Sequence, residues 1–166
     1  YKKDKFIFED VNYVFNSKYE EVEQAFSLMV ARKQIVGDVI ISFGDIIFED
    51  KIIEQILKIK NDVVIGVEPN WIKLYEKRED NPPTMSDFIA IKSGKIIKLF
   101  RNLKEFDEDC VVTEFTGLFK LSPKGSKIIT EKYTFLEQNH LGKFHDAISL
   151  KKAKIIDLLQ ELYENG

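Results

Sequence analysis

Cysteine is nearly absent from the 166 residues, since Cys110 is the only one. A single cysteine excludes an internal disulfide, and it favours a cytoplasmic location. The neighbouring carboxylates of Glu108 and Asp109 disfavour a thiolate, which argues against a nucleophilic role for Cys110. No apolar run is long enough to span a bilayer, so the sequence predicts no membrane partner.

An excess of positive charge is also missing, because the formal net charge is −3. Nucleic-acid binders usually carry a basic face, so we expect no nucleic-acid partner. Lys151, Lys152 and Lys154 are interleaved with apolar residues, which is more typical of the solvated face of a helix than of a phosphate-binding patch. The 44% hydrophobic share is typical of a globular chain, and the length predicts one domain over residues 1–166. The oligomeric state stays open.

Short apolar runs alternate with segments of helical periodicity. The runs at 38–43 and 62–67 are rich in β-branched residues and predict strands covered on both faces. Between them, Ile52, Ile53 and Ile56 recur at helical spacing after Asp50. Strand, helix and strand at this spacing predict a βαβ unit with parallel strands.

The remaining elements complete an α/β pattern. Stretches 88–92 and 95–100 flank Ser93-Gly94 and predict a β-hairpin. Further predictions are short strands at 6–8 and 12–15, a helix at 20–34, a loop at 78–86, a strand at 114–121 with a short helix opened by Ser122-Pro123, and a last helix capped by Ser149. Together these elements predict a three-layer α/β/α sandwich with a mostly parallel sheet and a β-hairpin insertion.

The sharpest local pattern is Ser42-Phe43-Gly44-Asp45 at the end of a predicted buried strand. Ligands of open α/β sheets bind beyond the carboxyl ends of the strands. Gly44 would let the backbone approach a nucleotide closely. Asp45 would supply one oxygen ligand to Mg2+, which takes one or two carboxylates together with substrate phosphates. The alternative is that Asp45 only begins a turn or caps backbone amides.

Several stretches together resemble one family. Asn16-Ser17-Lys18-Tyr19, Ser27-Leu28, Ala31-Arg32 and Gly44-Asp45 occur in an order that resembles nucleotidyltransferases with a glycosyltransferase-A-like fold. That family includes sugar-phosphate nucleotidyltransferases, phosphocholine cytidylyltransferases and the cytidylyltransferases of phosphonate metabolism, which can be fused to phosphoenolpyruvate mutase. The stretch at 114–122 and the closing helix at 153–162 are similar to this family as well.

The resemblance implies a reaction and a set of site residues. A small phosphorylated or phosphonylated acceptor would attack the α-phosphate of a nucleoside triphosphate, and pyrophosphate would leave. CMP is one nucleotidyl group that the family transfers, while the sequence leaves the base open. Asp45 would bind Mg2+, and Glu114 and Gly117 would line the acceptor pocket, with Ser27 as a further substrate contact. For Glu114 a solvated charge at a strand end is an equal alternative.

The chain also departs from the family pattern. The glycine-rich loop with an arginine and a following lysine, which holds the triphosphate in the family, has no match, and Tyr1-Lys2-Lys3 resembles the point just after it. The second metal-binding carboxylate of the family would lie beyond the closing helix. Val22, Glu23 and Gln24 stand where the family commonly has Thr and Asn. We therefore expect a partial nucleotidyltransferase-like domain, inactive by itself.

Other polar or aromatic residues are weaker candidates. Trp71 follows a strand end and could close over an amine of the acceptor, although core packing is the more common use of a tryptophan. His140 and His145 lack zinc-like spacing and fit hydrogen-bonding roles. The acidic run at 105–109 fits a solvated loop. Two other functions stay open from the sequence: a non-catalytic binding or scaffolding domain, and a glycosyltransferase.

Overall fold

The computed structural model describes residues 8–76, Pro82 and residues 85–165. The strands are β1 (Val39–Ser42), β2 (Val63–Glu68), β3 (Asp87–Lys92), β4 (Lys95–Arg101) and β5 (Cys110–Leu121). The α-helices are α1 (Gln24–Val30), α2 (Asp50–Lys58), α3 (Trp71–Tyr75), α4 (Pro123–Asn139) and α5 (Ile155–Asn165). Short 3-10 helices occupy Arg32–Gln34 and Leu150–Lys152.

The long strand β5 is the centre of the sheet. Leu121 pairs with Val39 of β1 and with Val63 of β2, so these two strands lie on opposite sides of β5. The N-terminal half of β5 pairs with β3, which in turn pairs with β4. The predicted strand at 114–121 is therefore confirmed as the later part of a longer strand.

Every pairing among the described strands is antiparallel, so the prediction of a mostly parallel sheet is wrong for this chain. Because β1 and β2 are each antiparallel to β5, they run in the same direction, as strands joined by the helix α2 should. They are not neighbours, however, because β5 lies between them. The periodicity of residues 38–67 identifies the two strands and the helix, but it carries no information about a strand that inserts from much later in the chain.

The two faces of the sheet are covered unequally. The face under α1, α4 and α5 holds the main hydrophobic core, in which Phe119 and Ile156 are fully buried. The other face holds a small cluster of Trp71, Phe88, Ala90 and Phe100. The helix α2 lies on this second side. The Lys120 side chain points away from the main core, and it donates to the carbonyl oxygen of Ile59, which directly follows α2. The predicted three-layer sandwich is not matched, since among the described residues only the short helices α2 and α3 cover the second face.

The β-hairpin insertion is confirmed. Strands β3 and β4 are joined by Ser93 and Gly94, with φ angles of +51° and +72°. Two consecutive positive φ angles are typical of the tight turns whose twist matches that of the flanking strands. Alternate side chains of β3 face opposite sides, so Ile89 packs in the main core and Phe88 in the small cluster.

The start of α4 is confirmed in detail, although the helix has 17 residues and is not short as predicted. The Ser122 hydroxyl accepts a hydrogen bond from the backbone N–H of Gly125 at 3.1 Å, and Pro123 occupies the first helical turn. Gly125 packs so closely on Asp62 that a Cβ atom would overlap the Asp62 carbonyl oxygen. The helix therefore docks onto the segment that leads into β2.

Five smaller predictions need correction or fall largely on residues that the structure does not describe. Residues 12–15 form no strand, and the predicted helix at 20–34 is confined to α1 and the short 3-10 helix after it. Ser149 precedes a 3-10 helix rather than α5, whose first turn is capped by the Asp157 carboxylate through the N–H of Lys154. Most of the strand predicted at 6–8 and most of the loop predicted at 78–86 lie outside the described residues.

Candidate functional site

The end of β1 is held in place by β5. The backbone N–H of Phe43 donates to the carbonyl oxygen of Gly117 at 3.0 Å, and the Phe43 ring packs edge-on against Phe115 with ring centroids 5.8 Å apart. Gly44 and Asp45 follow directly and are exposed. The chain therefore leaves the sheet at a fixed point, and the Asp45 carboxylate reaches solvent at the carboxyl end of β1.

The two glycines of this region, Gly44 and Gly117, differ in whether the backbone and its surroundings would tolerate a side chain. Gly117 has a φ of +82°, and a Cβ atom there would lie 2.5 Å from Cδ2 of Phe43, so the Phe43 ring occupies the space that a side chain would need. Gly44 has no left-handed φ, and a Cβ atom there would meet open space. The fold itself therefore requires glycine at 117 but not at 44.

A cleft of about 500 Å3 opens beside this point, on the side of the sheet that carries α2 and α3. Its walls come from the segment after Asp45, from α2 and α3, and from the facing ends of β2 and β5. The lining residues are Ile46, Ile47, Phe48, Ile52, Gly66, Val67, Glu68, Leu74, Glu114, Phe115, Thr116 and Leu118. The volume suits a small-molecule ligand.

Two carboxylates form the polar end of this mainly apolar cleft. Glu68 and Glu114 are direct cross-strand partners of β2 and β5. The Tyr75 hydroxyl donates to Oε1 of Glu114 and lies 2.5 Å from the Ser86 hydroxyl oxygen, while Oε1 of Glu68 accepts from the N–H of Asn70 at 2.7 Å. Like charges directly opposite each other weaken a sheet, so this pair does not serve the strand pairing. Fixed carboxylate oxygens in a cleft suit ligand hydroxyl, amide or amine groups, which donate hydrogen bonds.

Asp45 fits the role of a single magnesium ligand. Its side chain is exposed, and within the described residues it has no recorded hydrogen bond or ion pair, whereas the nearby Glu49 pairs with Lys51 at 2.8 Å. No group of three His, Cys, Asp or Glu side chains in the described part of the chain could hold a metal ion alone. Magnesium bound to a nucleotide needs only one or two protein carboxylates, so Asp45 is compatible with that kind of site.

The other predicted site residues have varied positions. Trp71 is 6% exposed, its indole N–H donates to the Val112 carbonyl oxygen at 2.9 Å, and its ring packs edge-on against Phe88. This position favours the core-packing alternative for Trp71. Ser27 is exposed on α1, where its hydroxyl accepts a hydrogen bond from the Asn16 side chain at 2.9 Å. Two segments of the family-like run are thus in contact, although Ser27 does not line the cleft.

Several cleft residues were missed in the sequence. Glu68 directly follows the strand predicted at 62–67, much as Asp45 follows the strand predicted at 38–43, so its position was a usable signal. Tyr75 gave no signal, because its link to Glu114 joins residues 39 positions apart. Ile46, Ile47 and Phe48 resemble an ordinary apolar run, and only the fold shows that they line a cleft.

A buried charge cluster lies away from the cleft, between the hairpin and α5. Lys154 pairs with Asp87 at 3.0 Å, and Arg101 lies 3.5 Å from Asp157. Burial raises the pKa of Asp87 and of Asp157, against the opposing effect of the two cations. Each group has its partner, so we assign this cluster to the docking of α5 on the hairpin.

The histidines are in hydrogen-bonding positions. His145 lies 2.9 Å from a carboxylate oxygen of Glu161, and His140 lies 3.0 Å from the Lys143 carbonyl oxygen. Both contacts agree with the hydrogen-bonding roles expected from the sequence. No helix in the described part of the chain combines the length and the apolar character needed to cross a membrane.

Comparison with known proteins supports the resemblance to nucleotidyltransferases. No protein-family model matches the chain. The chain is, however, similar to a cytidylyltransferase along nearly its whole length. That relative is the CTP:phosphoglutamine cytidylyltransferase of Campylobacter jejuni, which is 25% identical over 164 residues, covering 95% of this chain. The chain spans 64% of the length of the relative.

Proposed function

We propose that this chain is part of a magnesium-dependent nucleotidyltransferase that transfers CMP from CTP to a small phosphorylated or phosphonylated acceptor. This proposal rests on the similarity to a cytidylyltransferase over 95% of the chain. The geometry supports it, because Asp45 lies at the carboxyl end of β1 and the residues that follow it line a cleft. CTP and the acceptor would be the partners of the protein, and Mg2+ its cofactor.

In this proposal a phosphate or phosphonate oxygen of the acceptor attacks the α-phosphorus of CTP. The bond from that phosphorus to the bridging oxygen of the β-phosphate breaks, and pyrophosphate leaves with the bonding electron pair. Bound magnesium would neutralise negative charge that develops on the phosphates. The protein contributes position and charge rather than covalent chemistry.

The residues of the chain have distinct roles in this reaction. Asp45 would hold the magnesium ion, and Gly44, which faces open space, would admit the nucleotide close to the backbone. The cleft would take the acceptor. There the Glu114 carboxylate, oriented by Tyr75, would accept a hydrogen bond from the end of the acceptor that is remote from its phosphate.

A substrate panel tests this proposal. Pyrophosphate release would be measured with the natural full-length protein, each of the four common nucleoside triphosphates, and several small phosphorylated and phosphonylated acceptors including phosphoglutamine. We expect release that requires an acceptor, is fastest with CTP and stops when magnesium is chelated. A glycosyltransferase would release a nucleoside diphosphate from a nucleotide sugar, and a scaffolding domain would show no turnover, so either result would overturn the proposal.

A further inference from the structure

A second cleft lies on the helical face of the protein and shares no lining residue with the first. Its volume is about 470 Å3, and it opens between α1, α4 and the loop that leads to the 3-10 helix at 150–152. The lining residues are Lys18, Phe26, Tyr133, Glu137, His140, Leu141, Gly142, Ser149, Leu150 and Lys151. The proposed nucleotidyl transfer uses none of them.

Tyr133 of α4 is the unusual residue in this cleft. The side chain is 1% exposed, and the buried hydroxyl has no hydrogen-bond partner among the described residues. Leaving a buried hydroxyl unpaired costs free energy, so folded proteins rarely keep one without a reason. Burial raises the pKa of Tyr133, and the Glu137 carboxylate raises it further. The hydroxyl therefore keeps its proton and remains a hydrogen-bond donor.

The charges around the cleft favour an anion. Lys18 and Lys151 are lining residues of the cleft. Glu137 is the only acidic residue among the described residues of the lining, and it forms an ion pair with Arg32 at 2.5 Å. His140 adds no negative charge. The sum over these groups is positive, and an anion would gain from it without displacing an existing ion pair.

The walls of the cleft favour an apolar body on that anion. Phe26 is half-buried and Leu150 is buried, whereas Leu141 is 93% exposed at the rim. Lys18 Nζ lies 6.0 Å from the centroid of the Phe26 ring, which places one cation beside the apolar wall. A bound water could satisfy the Tyr133 hydroxyl, but it would leave the apolar wall and the two lysines without a ligand.

We propose that this second cleft binds a small organic anion. The anionic group would accept a hydrogen bond from the Tyr133 hydroxyl and pair with Lys18 and Lys151. Its aromatic or aliphatic part would pack against Phe26 and Leu150. The volume is within the range of small-molecule sites.

Calorimetric titration of the whole chain tests this proposal. The probe is phenyl phosphate, with inorganic phosphate and phenol as controls that carry only the charge or only the ring. We expect phenyl phosphate to bind more tightly than either control. Tyr133→Phe removes only the hydroxyl and should weaken binding about tenfold, the usual effect of losing a hydrogen bond to a charged group. Lys151→Gln should weaken it severalfold.

Matched variants separate the site from general effects. Tyr163→Phe removes the hydroxyl that donates to the Ile96 carbonyl oxygen, and Lys127→Gln removes an exposed cation of α4 outside the cleft, so both should bind the probe like the wild type. The melting temperature of Tyr133→Phe should be unchanged or higher, because the variant loses an unpaired buried hydroxyl. Equal affinity of Tyr133→Phe and wild type, equal affinity for inorganic and phenyl phosphate, or no binding of phenyl phosphate would each overturn the proposal.

Discussion

The helical face of the sheet and the cleft face differ in how far they bury their apolar side chains. On the helical face Phe119 of β5 and Ile156 of α5 are completely buried in the main core. On the cleft face Ile47 is fully exposed and Leu74 is half exposed, although both line the same cleft. Burial on the first face provides much of the stability of the fold. The second face leaves apolar surface open, which is the expected property of a surface that receives a ligand.

Truncating one apolar side chain on each face tests whether the two faces contribute unequally to stability. Phe119→Ala leaves a cavity in the main core and should lower the free energy of unfolding by about 3–5 kcal/mol. Ile47→Ala removes an exposed side chain and should change it by less than about 0.5 kcal/mol. Urea unfolding followed by circular dichroism measures both. A similar loss for the two variants would show that the cleft face also carries the stability of the fold.

Asp45→Asn separates catalysis from stability on the cleft face. The amide keeps the shape of the side chain but removes the negative charge, so the turnover rate of the natural full-length protein should fall about a hundred- to thousandfold, roughly 3–4 kcal/mol. The melting temperature should stay the same, since the exposed carboxylate has no recorded partner within the described residues. Steady-state kinetics beside a melting curve gives both values. Near-normal turnover would assign Asp45 to the turn alone.

The two glycines beside the cleft test the same difference between positions that stabilise the fold and positions that are open to a ligand. Gly117→Ala forces a Cβ atom onto the Phe43 ring at a positive φ, and it should cost about 1–3 kcal/mol of stability. Gly44→Ala places the Cβ atom in open space and should cost less than about 0.5 kcal/mol. If a nucleotide approaches Gly44, this second variant should instead raise the KM for CTP. Thermal unfolding and CTP kinetics test the pair, and an unstable Gly44→Ala protein would be the contrary result.

The smallest expected effect is a pH dependence at the docking point of α4. Hydrogen bonds from Ser122 and from Lys124 lower the pKa of Asp62. A lowered folded-state pKa means that the carboxylate stabilises the fold above the unfolded value of about 3.9, and that this contribution disappears as pH falls through the lower folded value. The stability difference between wild type and Asp62→Asn should therefore shrink as the pH falls below about 4. Unfolding curves from pH 7 to pH 2 measure it, and a constant difference would contradict the assignment.

Local elements of the fold were predictable from sequence, whereas strand pairing was not. The hairpin at Ser93-Gly94 and the Ser122 cap follow from the conformations that these residue types prefer, so the structure confirms them. The insertion of β5 between β1 and β2 depends on contacts between residues far apart in the chain. Periodicity reports which face of a strand is buried, but not which strand lies beside it.

The candidate site was predictable in part, because some of its residues lie next to the ends of predicted strands. Asp45 was identified from its position just after a predicted strand, and Glu114 from the family resemblance. The fold places Glu114 in the cleft that begins just after Asp45. Trp71 has the same kind of position after a strand end, yet it packs into the small cluster. The difference is that the helix α3 turns Trp71 toward Phe88, and the sequence at 68–71 does not specify that rotation.

A magnesium titration tests the central claim that Asp45 binds the metal for nucleotidyl transfer. The rate of pyrophosphate release from CTP would be measured against magnesium concentration for wild type, Asp45→Asn and Glu49→Gln, the last being an exposed carboxylate of the same segment that pairs with Lys51. We expect Asp45→Asn to need much more magnesium and to remain slower at saturation, while Glu49→Gln follows the wild-type curve. Superimposable curves for wild type and Asp45→Asn would contradict the claim.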